Sequence, residues 1–228
     1  MKQTITYLFL WAVFSLCAAQ PCDVLLYLQD AGETHGLMPV AERLQQAGCD
    51  VQILAGGTAE TLLTPEKAHF VSALQIPVDN YWGREKLAEA NAVATIEEAF
   101  EPKVFISGVA FAFQGQLYEA FRQKGAKTIA FWDNFNPTGT DLYFTTAQGV
   151  QKQAEYLWVP THFIARSAGF ADREKLSVVG HPSLETWICE AKQVSKEAIR
   201  EYFAIQPEKK LAVFIGGYGA HYEAAFNL

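Results

Sequence analysis

The sequence predicts an α/β fold, a Rossmann-like doubly wound parallel sheet. Three observations predict it. Short, near-continuous apolar runs recur along the chain, as strands covered on both faces require. Stretches of helical periodicity separate them, and strands alternating with helices build a parallel sheet through right-handed crossovers. Several of the runs feed a glycine-bearing loop, at the end of the sheet where such folds bind ligands.

The elements follow in chain order. The opening "MKQTITYLFLWAVFSLCAAQP" has Lys2 near its start, an apolar run from Ile5 to Ala19 and small residues at its end. The run is short for a bilayer span and has the form of a secretory leader. Residues 1–19 are therefore expected to be a signal peptide and the protein exported, periplasmic or secreted; without a leader it would be cytoplasmic. Strands are expected at Asp23–Gln29, Asp50–Ala55, Lys103–Ser107, Lys127–Phe131, Tyr156–Val159, Leu176–Val179 and Leu211–Ile215. Helices are expected at Leu37–Ala47, Arg84–Phe100, Gln114–Lys124, Ala147–Glu155 and Lys196–Phe203. In "VVGHP", Val178–Pro182, a strand ends at a glycine and at a proline that cannot donate to a ladder. Pro182 or Ser183 then opens a linking helix. This divides the chain into a Rossmann-like domain at 20–182 and a segment at 183–228 holding linker helices.

Composition narrows the function. The chain has 228 residues, half of them hydrophobic, which suffices for one core of ordinary domain size. Its formal charge is −7, with no basic tract. Nucleic acid and anionic membrane are thus not expected as partners, and membrane association is expected only through the N-terminal segment. Zinc-spaced Cys/His sets, a GxSxG elbow, a P-loop and GxGxxG are all missing from the sequence, so no metal and no cofactor are expected.

The loops at the strand ends carry the candidate site. They read "QDAGETHG", "AGGTAE", Ser107-Gly108, "WDNFNPTG" and "IGGYGAH". Glycines let a backbone approach a ligand closely, and each loop opens onto a helix N-terminus, which favours anions. Gly32, Gly108, Trp132 and Asn134 are the candidate substrate-binding residues of these loops, and Glu33, His35 and Asp133 the candidate acid–base groups. His181 reads as a hinge residue bonded to backbone.

Three stretches resemble the two-domain GT-B glycosyltransferases and their relatives, the UDP-N-acetylglucosamine 2-epimerases. "AGETHGLMPVAERLQQAGCDVQIL" is similar to that superfamily's first loop, helix and second strand, with Ala41, Leu44, Gly48 and Val51 at the repeating positions. "AGE" at Ala31–Glu33 and "VVGHP" are similar to lipid-A-disaccharide synthase. "REYFAIQPEKKLAVFIGGYG" resembles the entry to the second Rossmann-like domain, whose glycine loop holds the nucleotide diphosphate. The resemblance departs at "THGL", where Leu37 stands near an acidic position, and at "ISGVAFAFQ", which lacks the family's catalytic aspartate.

The resemblance implies a GT-B N-terminal domain plus the truncated start of a second Rossmann-like domain. It implies transfer of a sugar from a nucleotide-sugar donor, a UDP-sugar first of all, to an acceptor the sequence does not identify. An epimerase acting on a nucleotide sugar is the other activity of the superfamily. Glu33, His35 or Asp133 would supply the base, and Gly216, Gly217 and Gly219 would hold the diphosphate through backbone N–H groups. A chain with only the start of the donor domain would bind nucleotide sugars weakly. An exported Rossmann-like binding protein without catalysis is the alternative that a leader peptide favours.

Cys22 and Cys49 immediately precede the first two strands, which are commonly neighbours in such a sheet. Neighbouring strands lie about 4.8 Å apart, within reach of a disulfide, so this pair is the disulfide candidate if the protein is exported. Cleavage of the leader after Ala19 would leave Gln20 at the mature N-terminus. N-terminal sequencing of protein recovered from its native compartment should begin there; an intact Met1 would remove the leader.

Overall fold

Strands that read as continuous apolar runs need helices on both faces, and the chain supplies them. The structure, a computed structural model, describes residues 19–74, 91–136, 142–206 and 208–210. The strands are β1 (Gln20–Leu28), β2 (Val51–Ala55), β3 (His69–Phe70), β4 (Phe100–Ser107), β5 (Lys127–Phe131), β6 (Tyr156–Val159) and β7 (Leu176–Val178). They form one seven-stranded sheet in the order β3-β2-β1-β4-β5-β6-β7, every neighbouring pair parallel. The helices are α1 (Ala31–Gln46), α2 (Thr58–Leu62), α3 (Asn91–Ala99), α4 (Ala112–Gln123), α5 (Leu142–Val150), α6 (His162–Ala165), α7 (Pro182–Gln193) and α8 (Lys196–Tyr202). The expected doubly wound α/β sheet is the fold observed.

β1 shows how the two layers form. Leu25 and Tyr27 join the core that holds Phe105, Phe113, Leu117 and Phe121 under α3, α4 and α5. Val24, Leu26 and Leu28 join the opposite core with Leu37 and Ala41 of α1 and Ala59 of α2. This alternation is the strand's period of two, and both sets are buried. Each fully buried leucine or phenylalanine stabilises the fold by about 1.5–3 kcal/mol. The strand order reverses direction between β1 and β4, the position at which doubly wound sheets commonly bind ligands.

Element boundaries differ from expectation for local reasons. α1 starts at Ala31, well before Leu37, because Asp30 and Glu33 form a capping box. Pro39 therefore lies inside the helix, where it removes the bond to the His35 carbonyl. α5 ends at Val150 instead of reaching Glu155. The Arg173 guanidinium gathers the carbonyls of Gln151, Ala154 and Glu155 in the turns beyond it. The short elements α2, β3 and α6 carry too little periodicity to be read from sequence. α7 begins at Pro182, as the turn in "VVGHP" predicts; proline at the first helical position gives up an N–H that has no partner there anyway.

Two compact units divide the chain, Met1–Glu185 and Thr186–Leu228. In the second, Trp187, Ile188, Tyr202 and Phe203 are exposed, and Arg200 closes the end of α8 by donating to the carbonyls of Gln206 and Lys209. Residues 1–18 of the expected leader and residues 84–90 of the helix expected to precede β4 lie outside the described residues. So do the strand expected at Leu211–Ile215 and the loop with Gly216, Gly217 and Gly219. Among the described residues no helix is long and apolar enough to cross a membrane.

The cysteine pair is not bridged in the structure: Cys22, Cys49 and Cys189 are all free. The register sets Val24 opposite Val51, which brings the two earlier cysteines to one level. Their side chains nonetheless pack apart, Cys22 into the core under α3 and α4 and Cys49 against the core under α1. A disulfide needs Cβ atoms about 3.8 Å apart and aimed at each other. Burial, with Asp50 and Asp23 nearby, pushes the Cys22 thiol up to about 11. Alkylation of the native protein should therefore modify exposed Cys189 first and Cys22 only on unfolding. Mass spectrometry should find all three alkylated after denaturation without reductant; a Cys22–Cys49 pair that resists labelling would show a bridge.

Candidate functional site

The first turn of α1 organises the switch point between β1 and β4. Asp30 caps the helix, its Oδ1 accepting from the Glu33 N–H at 3.0 Å. Glu33 reaches back, its Oε1 accepting from the N–H groups of Asp30, at 3.2 Å, and of Gln29. These contacts satisfy donors that a helix start leaves open. Thr34 adds a hydroxyl bond to the Asp30 carbonyl.

Glu33 also reaches α4, the helix that follows the neighbouring strand β4. Its Oε2 accepts from Gln114 Nε2 at 2.6 Å. Gln114 is held from three sides: its Oε1 accepts from the Phe111 N–H at 2.9 Å, and its Nε2 also donates to Ser107 Oγ at 3.0 Å. Because Oε1 is occupied by an N–H, the amide can present only its NH2 to Glu33. Ser107 Oγ donates to the Tyr27 carbonyl at 2.6 Å, and the Tyr118 hydroxyl donates to the Ser107 and Gly108 carbonyls at 2.5 and 2.8 Å. β1, α1, β4 and α4 thus meet in one buried polar network.

Burial governs its electrostatics. Glu33 is 1% exposed. That burial, with Asp30 and Asp133 nearby, pushes its carboxyl well above the ordinary glutamate range, while the donors from Gln29 and Gln114 pull the other way. Asp30 is raised as well, by its own burial. Burial and the Glu33 carboxylate raise the Tyr118 phenol.

The sequence candidates take different places. Glu33 is walled off from solvent and bonded through both oxygens, which makes it a positioning group and not an accessible base. His35 stands on the exposed side of the same turn. Asp133 follows β5 and is half-buried against Gly32, where an added Cβ would overlap Oδ2; Gly108 likewise has no room because Glu33 Oε2 fills it. The protein's own carboxylates therefore occupy the space these two glycines leave. Asn134 folds its loop, Oδ1 accepting from the Asn136 N–H at 2.8 Å. Trp132 is a core residue, not a rim residue: it is fully buried, edge-on to Phe170 at 4.8 Å.

Sequence reasoning missed Asp30, Gln114 and the surroundings of His181. The Asp30–Glu33 spacing is a capping-box signal that could have been read. Gln114 gives no signal, because its partner is 81 residues away. The His181 carbonyl accepts from the Leu184 N–H at 2.9 Å, and its ring meets a side chain instead of backbone among the described residues: Nδ1 lies 2.7 Å from Ser183 Oγ. Its ring packs against Phe131 and Phe135, each at 5.7 Å. It also borders a cavity of about 560 Å³ walled by Leu37, Val40, Leu44, Phe131 and Trp158. Among the described residues no group of three His, Cys, Asp or Glu side chains could hold a metal ion.

These features define a class: a Rossmann-like sheet with a buried polar network at its β1/β4 switch point. No protein-family model and no curated protein matches the chain. Solved structures do. The UDP-GlcNAc 2-epimerase of Methanocaldococcus jannaschii matches with a TM-score of 0.53 and 14% identity, over 80% of this chain and 52% of that one. The Neisseria meningitidis enzyme, solved bound to UDP-GlcNAc, matches with a TM-score of 0.54 and 13% identity over 79% and 52%. The Rickettsia bellii enzyme matches with a TM-score of 0.55 and 11% identity over 83% and 52%. The chain spans about half the length of each. At these identities the fold is what is shared, and it bears out the GT-B-type fold that the sequence resembles.

Two substitutions test the network. Gly108→Ala should destabilise the fold by about 1–3 kcal/mol or more, because Glu33 must move out of its bonds. Gly149→Ala in α5, where nothing lies within 4 Å of the new methyl, should leave stability unchanged or raise it. Thermal melts of both variants check this. The raised Glu33 carboxyl also sets a pH slope. A folded-state pKa above the unfolded one means the native state binds more protons in between, so stability should fall as pH rises from the ordinary glutamate range through the raised value. Glu33→Gln should be less stable, having set an NH2 against Gln114, and should lack that slope in urea titrations run at a series of pH values.

Proposed function

We propose that this protein acts on a nucleotide sugar, a UDP-sugar first of all, as a GT-B-type glycosyltransferase. The observation that carries the proposal is the arrangement at the switch point: a rigid buried network fixes the first turn of α1, and His35 and Asp133 stand at its solvent side. The likeness of the fold to enzymes named for UDP-GlcNAc supports the choice of ligand class. Nothing among the described rim residues favours the alternative of a binding protein without catalysis.

In the proposed reaction His35 takes the acceptor proton, since imidazole is the side chain most often used for this step. Asp133, against the same turn, orients the acceptor or the imidazole. Glu33 keeps both at fixed positions, which matters because small displacements of a catalytic group cost rate steeply. The leaving diphosphate would be held by Gly216, Gly217 and Gly219, as the resemblance implies.

Titration of the full-length protein with UDP-GlcNAc and other UDP-sugars, followed by amide chemical shifts, should move His35, Asp133 and Asn134 first. His35→Ala should lower sugar-transfer turnover, read as UDP release with an acceptor panel, by about a hundredfold while leaving the melting temperature unchanged. Absence of any nucleotide-sugar-dependent shift would overturn the proposal, and wild-type turnover in His35→Ala would overturn the base assignment.

A further inference from the structure

The turn between β7 and α7 brings a second histidine, His181, beside the turn of α1 that carries His35, and its surroundings fix what it can do. Gly180 adopts φ 76°, a left-handed conformation that suits glycine, and turns the chain sharply so that His181 precedes the first residue of α7. The ring meets elements from three parts of the chain. It stacks on Phe135 at an interplanar angle of 28°, packs on Phe131, and sets Cε1 3.4 Å from where a Cβ on Gly36 would stand. Gly36 belongs to the turn of α1 that carries His35.

The Ser183 contact assigns the tautomer. Ser183 is 5% exposed, and its Oγ lies 2.7 Å from His181 Nδ1. A buried hydroxyl proton needs an acceptor, and Nδ1 is the one it has among the described residues. The hydroxyl therefore donates, Nδ1 accepts, and the ring proton sits on Nε2. Were Nδ1 protonated, the Ser183 proton would be left buried without a partner. Nε2 makes no hydrogen bond among the described residues, and the ring borders the cavity beside α1.

We propose that His181 is a ligand-contacting residue whose Nε2–H, fixed by Ser183, donates a hydrogen bond to an oxygen of the bound sugar nucleotide. The proposal rests on the nucleotide-sugar reading above and assigns a residue within that site. The shared chemistry is an acceptor oxygen, which a phosphate or a sugar can each supply. Burial and the nearby His35 hold the imidazole below the ordinary histidine range, which favours a neutral ring with one N–H.

The test uses long-range ¹H–¹⁵N spectra of the histidine rings in the full-length protein. His181 should show the Nε2–H form, and Ser183→Ala should convert it to a mixture of tautomers in a folded protein. UDP and N-acetylglucosamine are added separately, and then UDP-GlcNAc. The Nε2 resonance should move with UDP if phosphate is the partner, or with the sugar if a hydroxyl or amide oxygen is. His181→Ala should weaken UDP-GlcNAc binding about tenfold, and His181→Gln, which places an amide N–H near the Nε2 position, should restore most of it. A pure Nδ1–H ring in the wild type would overturn the proposal. So would an unmoved His181 resonance while the amides of His35 and Asp133 respond. If no amide responds to any probe, the nucleotide-sugar reading fails, and this inference fails with it.

Discussion

The structure around the switch point depends on one buried carboxylate. Glu33 ties the end of β1 to the first turn of α1 through the N–H groups of Gln29 and Asp30, and ties both to α4 through Gln114. A buried carboxyl group is costly unless its oxygens are met by donors, and here they are. The arrangement fixes the spacing of β1 and β4 at their carboxyl ends, where the order of the sheet reverses. It also explains why Gly108 must be glycine in this structure: the carboxylate stands where a side chain would begin.

The same network changes the meaning of the glycine loops. A glycine after a strand usually suggests room for a ligand's phosphate. At Gly32 and Gly108 the room is taken by Asp133 and Glu33, so these glycines serve the packing of the protein on itself. Among the described residues of these loops, His35 lies on the exposed side of α1, Asn136 is exposed, and Asp30, Asp133 and Asn134 are half-buried. Burial raises the Glu33 carboxyl above the ordinary glutamate range, while the donors from Gln29 and Gln114 pull the other way.

The β7–α7 turn packs beside the same turn of α1. A histidine that reads as a plain hinge residue is wedged between Phe131 and Phe135 and reaches Gly36 on α1. The β7–α7 turn and the first turns of α1 therefore pack against each other. Gly36 leaves space for Phe131 and for the His181 ring, just as Gly32 leaves space for Asp133.

Much of the fold was legible in the sequence by itself. Apolar runs of strand length, alternating with helical periodicity, determined a parallel α/β sheet, because a strand buried on both faces has few other ways to be covered. β5 and β6 were readable to the residue, and the proline after Gly180 marked the start of α7. The capping box of α1 was also written in the sequence, at Asp30 and Glu33. What only the tertiary structure decided was which side chains meet. Gln114 approaches Glu33 from 81 residues away, Cys22 and Cys49 reach one level yet pack into separate cores, and Trp132 goes to the core while its neighbour Asp133 goes to the rim. Such outcomes depend on the direction of a side chain after the chain has folded, and local periodicity carries no information about a partner brought near by the sheet.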